Sequence, residues 1–161
     1  MTIPVRLFGC AVLVLGLTGA VPDSPHANTG SGACGLITRE EAAAALGAAV
    51  PAGAEKAMDI PMQGHSVKAQ YCFYGTEVAI ARFELGSGAQ SVFGQYRQSL
   101  ASESDYKSLK DLGDEAFMAK GQLAARKGQS GLIVDVGQAR GGGPREVTAE
   151  KTLAAHALGR M

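Results

Sequence analysis

Between residues 67 and 85 the chain alternates: Val67, Ala69, Tyr71 and Phe73 are separated by Lys68, Gln70, Cys72 and Tyr74. After Gly75-Thr76 the run from Val78 to Leu85 continues in the same style, which predicts a β-hairpin. The alternation assigns Tyr71 and Phe73 to the core and leaves Tyr74 as a candidate exposed aromatic. Three more strands are read at 115–120, 122–127 and 131–136, the last containing Leu132-Ile133-Val134-Asp135-Val136, the most strand-like run in the chain.

Helical periods frame these strands. Thr38-Arg39-Glu40-Glu41 has the form of a capping box and opens a helix over 39–46, with Gly47 as its left-handed terminator and a narrow stripe of Ala42, Ala45, Leu46 and Ala49. Ser87-Gly88-Ala89-Gln90 has the same form, and the helix behind it presents Val92, Phe93, Tyr96 and Leu100 before ending near Ser104. Thr148 is read as the cap of a last helix with Leu153, Ala154, Ala157, Leu158 and Met161 on one face. Residues 50–65, with Pro51, Gly53, Pro61 and Gly64, read as a long loop whose Met58, Ile60 and Met62 cover part of the core. The order is α-β-β-α-β-β-β-α. Hairpins without alternating βα units predict an α+β fold, an antiparallel sheet of about five strands with helices packed on it.

Upstream of the fold lies an address. Arg6, the apolar stretch Leu7 to Leu17 and Thr18-Gly19-Ala20 have the order of a secretory signal peptide over residues 1–20, cleaved after Ala20. The apolar run lasts about 15 residues where a span needs about 20, so no stable membrane span is expected after cleavage. Cys10 follows Leu7-Phe8-Gly9, but most of the apolar stretch comes after it, which argues against lipid anchoring there. Residues 21–32, rich in Pro, Ser, Gly and Asn, read as a flexible leader, and 33–161 as a single domain.

Composition agrees with one core and narrows the chemistry. The 161 residues are 46% apolar and 19% charged, with 22 Gly, no Trp and 6% aromatics. Fifteen basic residues balance fifteen acidic ones, so there is no basic field for nucleic acid or anionic lipid. Cleavage removes one of the three cysteines, Cys10, and leaves Cys34 and Cys72. An even pair in an exported chain, without Cys-x-x-Cys spacing, predicts a Cys34–Cys72 disulfide.

Motifs for catalysis are weak or missing. No phosphate-loop or dinucleotide pattern occurs, and Gly141-Gly142-Gly143-Pro144 reads as a flexible connection. His26, His65 and His156 lack metal-ligand spacing. Ser104-Asp105-Tyr106-Lys107 matches Ser-x-x-Lys without the Ser-Asp-Asn and Lys-Thr-Gly elements that accompany it in penicillin-recognising enzymes. Glu40-Glu41 and Asp114-Glu115 are adjacent pairs that do not face one another and are assigned structural or surface roles. No catalytic, cofactor or metal residue is nominated.

Three landmarks together carry a resemblance. Cys34-Gly35-Leu36-Ile37-Thr38-Arg39-Glu40-Glu41-Ala42 and its Gly-terminated helix, the strand cysteine in Tyr71-Cys72-Phe73-Tyr74, and Leu112-Gly113-Asp114-Glu115-Ala116-Phe117 occur in that order. Over residues 33 to about 137 the chain resembles a family of small exported bacterial proteins of unknown function, many of them lipoproteins. The resemblance implies an extracytoplasmic α+β domain with one disulfide and no established catalytic residues, akin to sensor or binding domains of the cell envelope. Lacking a well-placed lipobox, this chain is expected to be free in the periplasm or outside the cell. The expected function is non-catalytic binding of a small apolar ligand or an envelope protein. The alternatives are an exported hydrolase with an unrecognised site and a structural or inhibitory module acting through an exposed sheet edge.

Overall fold

A computed structural model describes residues 32–62, 65–137 and 144–161. The expected signal peptide over 1–20, the expected leader up to residue 31, Cys10, His26 and the Gly141–Gly143 stretch lie outside the described residues, and so does the side chain of His65. A short 3-10 turn at Ala33–Gly35 leads into α1, Arg39–Leu46. Three strands follow, β1 (Ala54–Met62), β2 (His65–Tyr74) and β3 (Val78–Glu84), and then α2 (Ala89–Leu100). Four more strands, β4 (Lys107–Leu109), β5 (Glu115–Ala119), β6 (Gln122–Lys127) and β7 (Ser130–Val136), precede α3 (Pro144–Arg160).

The seven strands form one antiparallel sheet in the order β1-β2-β3-β7-β6-β5-β4. Two meanders, β1–β3 and β4–β7, meet where β3 pairs with β7. The α+β class holds, with two strands more than expected. β1 was hidden because an edge strand that is exposed for most of its length does not need alternation, and its Pro61 is tolerated there as it would not be inside a sheet. Three-residue β4 is too short to carry a period.

Both faces of the sheet are covered. Cys72, Tyr74, Val78, Ile80, Leu132 and Val134 pack under α1 and α3, while Ala81, Phe83, Phe117, Ala124 and Ile133 pack under α2. Two covered faces explain the consecutive apolar residues Leu132, Ile133 and Val134 in β7. They also correct the assignment of the hairpin aromatics: Tyr74 is 1% exposed, and its hydroxyl donates to the Ile37 carbonyl at 2.7 Å, whereas Tyr71 and Phe73 are only half-buried. That face is core because residues of the 3-10 turn and of the helices fill it beside Cys72. Replacing Tyr74 by Phe leaves the buried Ile37 carbonyl without this donor and is expected to cost about 1–2 kcal/mol in urea unfolding.

The helix ends were legible to different degrees. The α1 capping box is complete: the Glu41 N–H donates to Thr38 Oγ1 at 3.1 Å and the Thr38 N–H to Glu41 Oε2 at 2.7 Å. Gly47 closes the helix at φ +67°, as expected. Ser87, in contrast, caps nothing; a 3-10 turn at Gly86–Gly88 enters α2 with Gly88 at the cap position. Thr148 lies inside α3, which starts four residues earlier at Pro144, where the missing proline N–H costs nothing.

Close packing makes one glycine indispensable. Gly131 on β7 sits opposite Phe83, and a Cβ there would run into the buried Phe83 ring. Gly131→Ala is expected to destabilise by about 1–3 kcal/mol, read as a lower urea midpoint at unchanged slope.

Candidate interaction surface

The expected disulfide is present. Cys34 and Cys72 are bonded across a sequence separation of 38, with Cα atoms 4.9 Å apart, and both are buried. Around it the chain is tied in several ways. The Cys34 N–H donates to Glu55 Oε1 at 3.2 Å, which fastens the start of β1 to the turn before α1. Gly53, just before β1, leaves room for the Cys72 sulfur that a side chain would take. At the same N-terminal end of α1, the Arg160 guanidinium grips Glu41 with two contacts of 2.7 Å and also donates to the Leu36 carbonyl. Arg160, with Thr38 helping, holds the Glu41 carboxyl down at about 2.

This bracing holds β1 at the rim of the sheet. Among the described residues no strand pairs with its outer side. Residues 54–59 are exposed without interruption, so the strand projects past the helices on both sides. Its two faces differ. Ala54, Lys56, Met58 and Ile60 share the α2-side face with their β2 neighbours Phe73, Tyr71, Ala69 and Val67. On that face the Tyr71 and Phe73 rings stack at 5.5 Å and 5°, and Met58 is 41% exposed. Glu55, Ala57 and Asp59 share the opposite face with Cys72, Gln70 and Lys68. A nine-residue edge with one apolar and one acidic face can pair its backbone with another strand and select the side chains of that strand.

Two open cavities are also present. One of about 600 Å³ runs from Ala57 of β1 across β2 and β3 and is lined by the bases Lys68 and Arg82 together with Gln70 and Glu84. The other, of about 630 Å³, lies between α1 and α3 and is lined by Glu41, Leu46, Arg145, Thr152 and His156 among others. Both have polar side chains on their walls and neither is an enclosed apolar chamber.

No family model matches the chain, and no curated protein or solved structure does either. The surface must be read from its own residues.

The weak motifs resolve into structure. Asp105, from the Ser-x-x-Lys run, accepts from the Lys120 and Gly121 N–H groups at 3.0 and 2.7 Å and so secures the β5–β6 turn. Ser104 and Lys107 are exposed and do not open a helix. Asp114 accepts from Arg126 and from the Gly128 N–H, and Glu115 from Arg126. His156 lies 3.3 Å from Glu41 on the helix pair. Among the described residues no three His, Cys, Asp or Glu side chains converge as metal ligands, and no helix is long and apolar enough to cross a membrane.

Two buried carboxyls were not anticipated. Asp135 accepts from Gln122 Nε2 at 2.8 Å on the α2-side face. Glu150 is 1% exposed on α3, and its Oε1 accepts the Val136 N–H at 3.2 Å. Glu150 falls three and four residues before Leu153 and Ala154, so the helical period already placed it on the buried face.

Proposed function

We propose that this chain is an exported, non-catalytic domain of the cell envelope that binds a protein partner by accepting an extended segment of it along β1. The observation that carries the reading is the nine-residue edge, exposed through most of its length and braced by the Glu55 bond and the disulfide. Strand addition draws its affinity from main-chain hydrogen bonds and its selectivity from alternate side chains. A protein is favoured over a small apolar ligand because the cavities described are open and partly polar, whereas small-molecule pockets bury most of their ligand in apolar walls. Export is supported by the signal-like residues 1–20 and by a disulfide, which persists in oxidising compartments. The family resemblance points to the same compartment.

Photo-crosslinking tests the binding mode. A crosslinking residue at Met58 in the exported chain is expected to yield a discrete adduct with an envelope protein, and the same residue at Gln129, on the far β6–β7 turn, is not. Pro61 is tolerated where its missing N–H faces away from β2, and Ala57 shares its parity; Ala57→Pro removes an outward donor with little harm to the sheet. An adduct that survives Ala57→Pro at full yield would remove the edge from the proposal. Export is checked by N-terminal sequencing of periplasmic or medium protein, which is expected to begin at Val21.

A further inference from the structure

We propose that the segment accepted by β1 belongs to a different protein and carries Lys or Arg at alternate positions with apolar residues between them. This rests on the strand-addition reading and adds the chemistry of the partner. A strand laid along β1 presents one set of side chains beside Glu55, Ala57 and Asp59 and the other beside Ala54, Lys56, Met58 and Ile60. Asp59 already has Lys68 opposite it on the inner side. A base on the outer side continues a ladder of alternating sign, the arrangement that stabilises cross-strand pairs. Glu55 spends one oxygen on the Cys34 N–H and carries the same sign four residues away. On the other face, Met58 and the half-buried Ile60 offer apolar contact backed by Ala69 and Val67, and the Tyr71–Phe73 stack continues that face behind Lys56 and Ala54.

A second copy of the chain fits this edge poorly. Antiparallel pairing of two identical strands sets residues of one face against residues of the same face, and the Glu55 face of β1 carries no base. Centred on Met58, the pairing places Asp59 opposite Ala57 and diagonal to both Asp59 and Glu55 of the other copy. Centred on Ala57 it places Asp59 directly opposite Glu55, and centred on Asp59 it faces Asp59 with itself. Like charges set opposite destabilise a pair. Lys56 cannot relieve any of these, since it points to the other face.

The test uses the exported, oxidised full chain and three eight-residue peptides alternating Val with Lys, with Glu or with Ser, titrated by fluorescence anisotropy, together with sedimentation of the protein alone. The Val-Lys peptide is expected to bind at least tenfold tighter than the Val-Glu peptide, to lose at least tenfold with Ala57→Pro, and to lose most of its advantage with Asp59→Asn, while the protein sediments as a monomer. Without Arg6 the exported chain keeps 14 basic against 15 acidic residues, an imbalance of one charge that is too small for bulk attraction to produce that preference. Equal or tighter binding of the Glu or Ser peptide, or no binding of any peptide, overturns the charge inference and leaves the crosslinking result to judge the edge. A self-association abolished by Ala57→Pro overturns it in favour of a second copy. Binding of the Lys peptide that ignores Ala57→Pro overturns both this inference and the edge reading.

Discussion

Removing the Cys34–Cys72 link, by Cys34→Ala with Cys72→Ala, is expected to lower the melting temperature by roughly 10–20 °C. The bond closes a loop with a sequence separation of 38, which on the loop-entropy account restrains the unfolded chain by about 4 kcal/mol. Little elsewhere makes up for its loss. On the α1 and α3 side of the core, alanines take about a third of the buried positions, among them Ala33, Ala42, Ala125, Ala149, Ala154 and Ala157. Each buries far less apolar surface than a Leu or Phe would. The link also holds the turn before α1 against β2, so without it the Cys34 N–H and Glu55 lose their fixed geometry and the start of β1 loosens. Both sulfurs are buried, so reductant alone should act slowly under native conditions and quickly in urea. Urea unfolding of the double variant decides the matter: a loss below about 1 kcal/mol would show that the native contacts of the corner, and not the link, hold it together.

What was readable in the sequence followed the strength of local signals. Thr38 with Glu41 and Gly47 define α1 at both ends by side-chain chemistry alone, and the structure keeps each of them. The hairpin 67–85 and the β7 run carried periods long enough to be recognised. The disulfide followed from cysteine arithmetic once the signal was set aside. Three things were out of reach or misread. β1 is exposed on both faces, so burial imposed no pattern on it, and Pro61 and Gly64 suggested a loop. Alternation within one hairpin says which residues share a face, but not that both faces are covered, and so it leaves Tyr74 outside. Ser87 had the form of a cap, yet Gly86 at φ +68° turns the chain one step earlier. The interaction surface proposed above is thus built on the one long strand that the sequence concealed. An edge strand exposed on both faces is under little burial constraint, and so its residues do not report the fold.

Glu150→Gln is expected to abolish most of the loss of stability that the protein suffers between pH 5 and pH 8. Burial, first of all, with the nearby charges of Asp135 and Glu146 adding to it and the Val136 N–H opposing it, pushes the Glu150 carboxyl up to about 8. At pH 7 the native carboxyl therefore keeps its proton, while in the unfolded chain it ionises near the ordinary value of 4.5. Between these values the folded state binds more protons than the unfolded one, so stability falls as pH rises. Below 4.5 and above 8 this group contributes no slope. Each unit of difference corresponds to about 1.4 kcal/mol, so the loss between pH 5 and pH 8 is on the order of 3 kcal/mol. Glu41 works in the opposite direction: its carboxyl, held at about 2, contributes stability above the ordinary value that is lost as pH falls toward 2. Taken by themselves, these two groups favour the folded state most near the ordinary carboxylate range. The amide introduced by Glu150→Gln would keep an oxygen for the Val136 N–H and stay neutral at every pH. Its cost is a buried NH₂ group in the place of Glu150 Oε2, which has no partner among the described residues. Near pH 5 the variant should therefore lie close to the wild type or slightly below it, and by pH 8 to 9 it should be the more stable of the two. Urea unfolding at pH 5, 7 and 9 measures the crossing; curves that stay parallel from pH 5 to pH 9 would mean that Glu150 does not hold its proton in the native state.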